Sequence, residues 1–136
     1  HLEEAVPFGE YKGHSAGVAG TLPQTIPLDR FTARVEEALG QPVIGVWPFG
    51  SQAVRQVGIV SGRAGFLVEQ AAEAGLDVFL TGEMSHNVYH LARELGLNVV
   101  YGGHYATEAA GLKALADHLA AKFDLETIFL DLPTGA

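Results

Sequence analysis

The residues best suited to chemistry lie in one short stretch, His104-Tyr105-Ala106-Thr107-Glu108. In a helix, side chains four positions apart stand one above the other, so an imidazole and a carboxylate at this spacing can grip one cation. Nitrogen with carboxylate oxygen suits a divalent transition metal, and spacing does not choose among Zn, Fe, Mn and Ni. The same pair suits a helix-start ion pair in which Glu108 complements the dipole, the commoner use of such spacing. Gly102 and Gly103 precede it and let the backbone approach whatever sits there. His86 and His90 repeat the i, i+4 spacing shortly after Glu83. They suit a second metal pair or acid–base work, since a free imidazole titrates near pH ~6.5. Beside Val88 and Leu91, His90 also reads as a partly packed side chain and His86 as a solvated one. His14 and His118 read as loop and helix-surface residues, and His1 as a chain-end residue.

The elements that must position these groups follow from periodicity. Residues 1–27, rich in glycine, proline and small polar side chains, read as a linker with short strands that add antiparallel pairing to a sheet. From Pro27 the pattern turns helical: Phe31, Val35 and Leu39 recur every four residues, and Gly40 and Pro42 stop the helix. Val43 to Trp47 reads as a strand. Strand and helix then alternate. Strands are expected at Val57–Val60, Val78–Leu80 and Asn98–Tyr101, with a last one near Thr127–Leu130. Between them lie a helix through Ala74, one with Val88, Leu91, Ala92 and Leu95 on one face, and a longer one carrying Leu112, Leu115 and Leu119.

Apolar strands separated by helices imply right-handed βαβ units, so residues 28–136 are expected as an α/β domain with a mixed sheet and helices packed on it. Parallel strands place their strand-to-helix turns on one edge, here Ser61 to Gly65, Thr81 to Ser85 and Gly102 to Tyr105. Ligands of open α/β sheets bind beyond that edge, which brings Glu83, His86, His104 and Glu108 toward one place. The Ser61–Gly65 turn lacks the lysine of a Walker loop and the full dinucleotide fingerprint. Its glycines also suit a plain tight turn. Trp47, Phe49 and Tyr101 read as core or interface residues; Asp77, Asp124 and Asp131 read as solubility or capping groups.

Composition narrows the classes. At 136 residues the chain suits one domain, and 48% hydrophobic residues can fill a core. The 16 Asp and Glu against 8 Lys and Arg, with no basic cluster, argue against a nucleic-acid partner. Apolar runs are too short to cross a bilayer. No cysteine is present, which fits a reducing compartment, and with no signal peptide a cytoplasmic location is expected. Opening at His1 without an initiator methionine, the sequence reads as a piece of a longer chain.

The run Ser61-Gly62, Thr81-Gly82-Glu83, His90, Ala92-Arg93-Glu94, Gly103-His104-Tyr105-Ala106-Thr107-Glu108 and Asp131-Leu132-Pro133 resembles the C-terminal half of the NGG-interacting-factor-three-like family. These are dinuclear-metal proteins often labelled type 2 homologues of GTP cyclohydrolase I. Pro7-Phe8-Gly9-Glu10-Tyr11 and Gly17-Val18-Ala19-Gly20 fit the same family's linker into that half. The resemblance implies one lobe of a two-lobed α/β fold with two metal ions in the cleft between lobes, and hexameric rings. It makes His104 and Glu108 metal ligands, Glu108 bridging both ions, and places His90 and Glu83 in the cleft to handle protons. The family's remaining ligands lie upstream of this chain, so it is expected to bind metal weakly or through a partner. It is also expected to expose apolar surface and to form a dimer or larger homo-oligomer. Compared with the family, the Ser61–Gly65 turn carries fewer glycines; Ser61, Gly62 and Arg63 remain as anion-binding candidates, with Arg63 itself able to meet an anion. The function implied is a metal-dependent hydrolase acting on a nucleotide-like or other small molecule. A non-catalytic metal-binding regulator or scaffold, with this chain inactive alone, is the alternative.

Overall fold

In the computed structural model, which describes residues 2–134, the opening stretch is a long hairpin rather than a linker with short strands. β1 (Glu3–Tyr11) and β2 (His14–Pro27) pair antiparallel. Tyr11 faces His14 across a two-residue loop in which Lys12 and Gly13 both have positive φ, 52° and 80°. That conformation matches the right-handed twist of the strands it joins. His1 lies outside the described residues.

α1 (Leu28–Leu39) buries Leu28, Phe31 and Val35 at helical spacing, and Gly40 closes it in the left-handed region with its N–H on the Glu36 carbonyl. β3 (Gly45–Pro48) and β4 (Ala53–Ile59) follow. A 3-10 turn at Gly65–Leu67 runs into α2 (Val68–Glu73), which leads to β5 (Val78–Thr81). A second 3-10 turn at His86–Val88 runs into α3 (Tyr89–Glu94), then come β6 (Asn98–Tyr101) and α4 (His104–Phe123). The strands form one mixed sheet in the order β1-β2-β4-β5-β6-β3. The pairs β4–β5 and β5–β6 are parallel and the others antiparallel, as the α/β reading expects.

β5 and β6 are buried along their whole length because both sheet faces are covered. Alternate side chains go to opposite faces. Val78, Leu80 and Val100 join Phe31, Val35 and Val57 under α1. Phe79, Val99 and Tyr101 join Leu67, Val68, Ala71 and Ala92 under α2 and α3. Trp47 packs edge-on against Tyr101 and Tyr89 at 4.7 and 5.1 Å between ring centroids, which makes these aromatics core. The Asp77 carboxylate accepts the N–H groups of Arg55 and Gln56, a structural capping role.

Two expectations need correction. No strand forms at Thr127–Leu130. The segment lies along α4 instead: the Tyr105 hydroxyl donates to Asp131 at 2.8 Å and accepts the Leu132 N–H at 2.9 Å, and Lys113 sits over the Phe129 ring. A strand exists only with a neighbour to pair with, and among the described residues this segment has none. α4 is the longest helix, as expected, but it buries only Ala106 and Ala109, leaving Leu112 and Leu115 more than half exposed. Leu95 is likewise exposed. No helix among the described residues is long and apolar enough to cross a membrane.

Candidate functional site

In-register parallel pairing brings the ends of β4, β5 and β6 level, since Ile59 faces Leu80 and Thr81 faces Tyr101. The three turns that follow are therefore neighbours, and hydrogen bonds join them. The Gly62 carbonyl accepts from the Gly82 N–H (2.8 Å), the Glu83 N–H (3.1 Å) and the Thr81 hydroxyl (3.1 Å). The Gly103 N–H donates to the Gly82 carbonyl, and the Gly102 N–H to that of Thr81. The Gly62 N–H donates to Thr107 Oγ1 at 3.1 Å. At Gly82 a β-carbon would stand 2.7 Å from the Gly62 oxygen and 2.8 Å from His104 Cα, so only glycine lets the turns approach this closely.

On this edge His104, the first residue of α4, lies between two carboxylates. Its Nδ1 is 2.5 Å from Glu83 Oε1 and its Nε2 is 3.2 Å from Glu108 Oε1. The i, i+4 spacing that suggested the pair is thus a real contact, and Glu83 reaches the same ring from the preceding turn. The hydrogen bond that His104 Nδ1–H donates to Glu83 is the largest cause holding the His104 pKa above its usual value; partial burial opposes it, and the charges of Glu108 and Glu83 reinforce it. The imidazole and Glu83 are about one-third exposed and Glu108 about half, so water and solutes reach the site.

The donor set fits a cation on one side of the imidazole. A metal-binding histidine characteristically gives its other ring N–H to a carboxylate, which fixes the tautomer. Glu83 stands where that partner is needed, leaving Nε2 and Glu108 to face a common point. Gly62 supplies room there: its φ is +64°, and a β-carbon on it would lie 2.7 Å from Glu108 Oε1 and 3.2 Å from His104 Nε2. Because Glu83 and Glu108 flank opposite edges of the ring, they do not converge on one ion. Among the described residues no group of three or more His, Asp or Glu side chains is arranged to hold a metal.

The other candidates are more scattered. Arg63 is largely exposed, with Nε 3.9 Å from Glu83 Oε2. Ser61 is exposed on the same turn. The N–H groups of Gly62 and Ala64 are spent on Thr107 and Thr81, so that turn offers an anion the Arg63 guanidinium and the Ser61 hydroxyl. His86 and His90 are exposed. The His90 ring stands edge-on to Tyr89 at 5.3 Å, and no hydrogen bond or ion pair links it to Glu83, His104 or Glu108 among the described residues. A cavity of about 330 Å³ bounded by Gln41, Tyr105, Lys113 and Asp131 does not include His104 or Glu108. Thr81 and Thr107 stand within the runs the sequence singles out but receive no role there; a lone threonine carries no spacing signal that marks it.

Comparison with known proteins places the chain in a family. Residues 1–135 match the family model described as Duf34/NIF3 (NGG1p interacting factor 3). A relative from Deinococcus radiodurans, named "GTP cyclohydrolase 1 type 2 homolog", is 40% identical over 98% of this chain and 51% of its own length. One of the same name from Pyrococcus abyssi is 42% identical over 99% of this chain and 54% of its own. A crystal structure from Thermus thermophilus superposes with a TM-score of 0.82 at 38% identity, over 99% of this chain and 52% of that one. The chain spans about half the length of the relatives it matches.

Proposed function

The chain belongs to the Duf34/NIF3 family, and on that premise we propose that His104 and Glu108 hold a divalent transition metal (Zn, Fe, Mn or Ni) as one side of a dinuclear centre. The activity we propose is hydrolysis of a nucleotide-like or other small molecule, in line with the name its relatives carry. One observation carries the reading: Glu83 engages Nδ1 of His104, which turns Nε2 toward Glu108 across the space Gly62 leaves open. His104 Nε2 and Glu108 would hold the cation, which would supply positive charge for activating water and polarising the group under attack.

The chain's own residues do the rest. Glu83 holds the proton on Nδ1 and fixes the ring, and of the two proton-handling candidates, Glu83 and His90, it is the one in contact with His104. Arg63, paired loosely with the outer oxygen of Glu83, presents the rest of its guanidinium to an anionic substrate. Two protein donors leave a transition metal with open positions, which the family's upstream ligands would fill. Exposed apolar side chains on α4 and the C-terminal segment, Leu112, Leu115, Ile128, Leu130 and Leu132 among them, support assembly with another copy or lobe. The lack of cysteine supports a cytoplasmic setting.

A non-catalytic metal-binding regulator is favoured by the small number of converging donors. The two readings separate in an assay of nucleotide hydrolysis by the Zn²⁺- or Mn²⁺-loaded chain, alone and joined to the upstream half of a relative. Metal-dependent turnover that Glu108→Gln abolishes supports the hydrolase. Metal uptake without turnover in both forms selects the regulator.

A further inference from the structure

We propose that Thr107 is a positioning residue for the His104–Glu108 site, its hydroxyl setting the spacing of the three turns that frame it; this role rests on the metal-holding reading above. Thr107 lies on α4 between the two donors. Its hydroxyl donates back to the Gly103 carbonyl at 2.8 Å, with the His104 carbonyl at 3.0 Å, a local bond common for threonine in helices. That spends its only proton, and a lone pair accepts the Gly62 N–H at 3.1 Å. A β-carbon on Gly82 would come within 2.7 Å of the same oxygen. One hydroxyl therefore meets all three turns.

The Gly62 carbonyl is held separately by Thr81, Gly82 and Glu83, so the β5 side of the turn is fixed without Thr107. The side that faces α4 is not. There the Gly62 backbone borders both donor atoms closely enough that a β-carbon would crowd them. A drift of a few tenths of an ångström changes the room left for a cation. Valine at 107 keeps the shape of threonine but leaves the Gly62 N–H without its acceptor, and the turn must move to find water. Serine keeps the hydroxyl and loses the methyl that stands near Gly102.

The test is a Mn²⁺ titration of the whole chain, followed by paramagnetic broadening of backbone amide signals, for wild type, Thr107→Val and Thr107→Ser. Thermal unfolding of each is recorded alongside. In the wild type, Mn²⁺ broadens His104, Glu108 and Gly62 together. Thr107→Val requires about fivefold more Mn²⁺, because the Gly62 turn, no longer held, must be re-ordered when the cation binds at a cost comparable to one hydrogen bond, and its Gly62 signal broadens less than that of His104. Thr107→Ser is less stable yet binds as the wild type does, which separates positioning from packing. Should the valine variant not fold, Thr107→Ala takes its place with the same expectation. Wild-type affinity in the hydroxyl-free variant overturns the role and leaves the metal reading intact. Equal weakening in Thr107→Ser assigns the effect to packing and also overturns it. A wild type in which Mn²⁺ leaves His104 and Glu108 untouched, both alone and joined to the upstream half of a relative, sinks the metal reading and this role together.

Discussion

Replacing Gly62 with alanine separates backbone strain from damage to the site. Gly62 has a φ of +64°, where an alanine costs about 1 kcal/mol, somewhat more once the stiffer unfolded chain is considered. Gly75 is a matched control: its φ is +68° and nothing lies within 4 Å of where its β-carbon would go. At Gly62 the added carbon meets Glu108 Oε1 at 2.7 Å, against ordinary contact beyond 3.4 Å, so the carboxylate must retreat by the difference, about 0.7 Å. That carboxylate is half exposed on a flexible stem, so its retreat costs little stability. Gly62→Ala and Gly75→Ala should therefore lose similar stability, about 1 kcal/mol each or roughly 2–6 °C in melting temperature. Their metal binding should diverge: Gly75→Ala binds as wild type, whereas Gly62→Ala, with its donor displaced, binds about tenfold more weakly or worse. The assays are thermal unfolding and a Zn²⁺ or Mn²⁺ titration on the same samples. Wild-type affinity in Gly62→Ala would refute the claim that this glycine keeps space for a cation.

Three further outcomes follow from the same geometry. Glu83→Gln keeps the size of the side chain but removes the anion that orients His104, and metal affinity should fall about tenfold; an unchanged titration would show that Glu83 does not orient the ring. In the metal-free chain the raised His104 pKa makes its stabilising contribution complete below about pH 6.5 and loses it as pH climbs through the folded-state value. The stability difference between wild type and His104→Ala should thus shrink from pH 6 to pH 9, while metal affinity rises as the proton leaves Nε2; the opposite slopes would contradict the assigned contacts. Tyr101 is fully buried with a hydroxyl that has no hydrogen-bond partner among the described residues, so Tyr101→Phe should be neutral or stabilising by up to about 1 kcal/mol in urea unfolding, and a clear loss would reveal a partner for that oxygen.

The α/β architecture was legible because β4, β5 and β6 are apolar runs closed by glycine turns, and such runs between helices leave few topologies open. The convergence of the turns followed from parallel strands alone, but which of Glu83, His86, His104 and Glu108 would touch did not: Glu83 and Glu108 meet His104, and His86 stays exposed. The clamp on Gly62 was not legible, because it depends on the direction of individual peptide groups, which no residue type announces. The hairpin β1–β2 was underestimated because glycines interrupt its alternation. Thr127–Leu130 misled for the opposite reason: Thr, Ile, Phe and Leu favour a strand wherever they find an edge, and no edge meets them here. The i, i+4 spacing of His86 and His90 matched that of His104 and Glu108, yet His86 lies in the 3-10 turn before α3 and His90 in α3 itself, so the two do not stand on one regular α-helix.

The most direct test of the central claim is metal content and affinity, by elemental analysis and titration, for this chain and for its His104→Ala, Glu108→Gln double variant. The wild-type chain should take up a transition metal, weakly because two donors converge among the described residues, and the double variant should take up none. Equal uptake by both, or none by a wild-type chain joined to the upstream half of a relative, would contradict it and leave His104 and Glu108 as a helix-start ion pair.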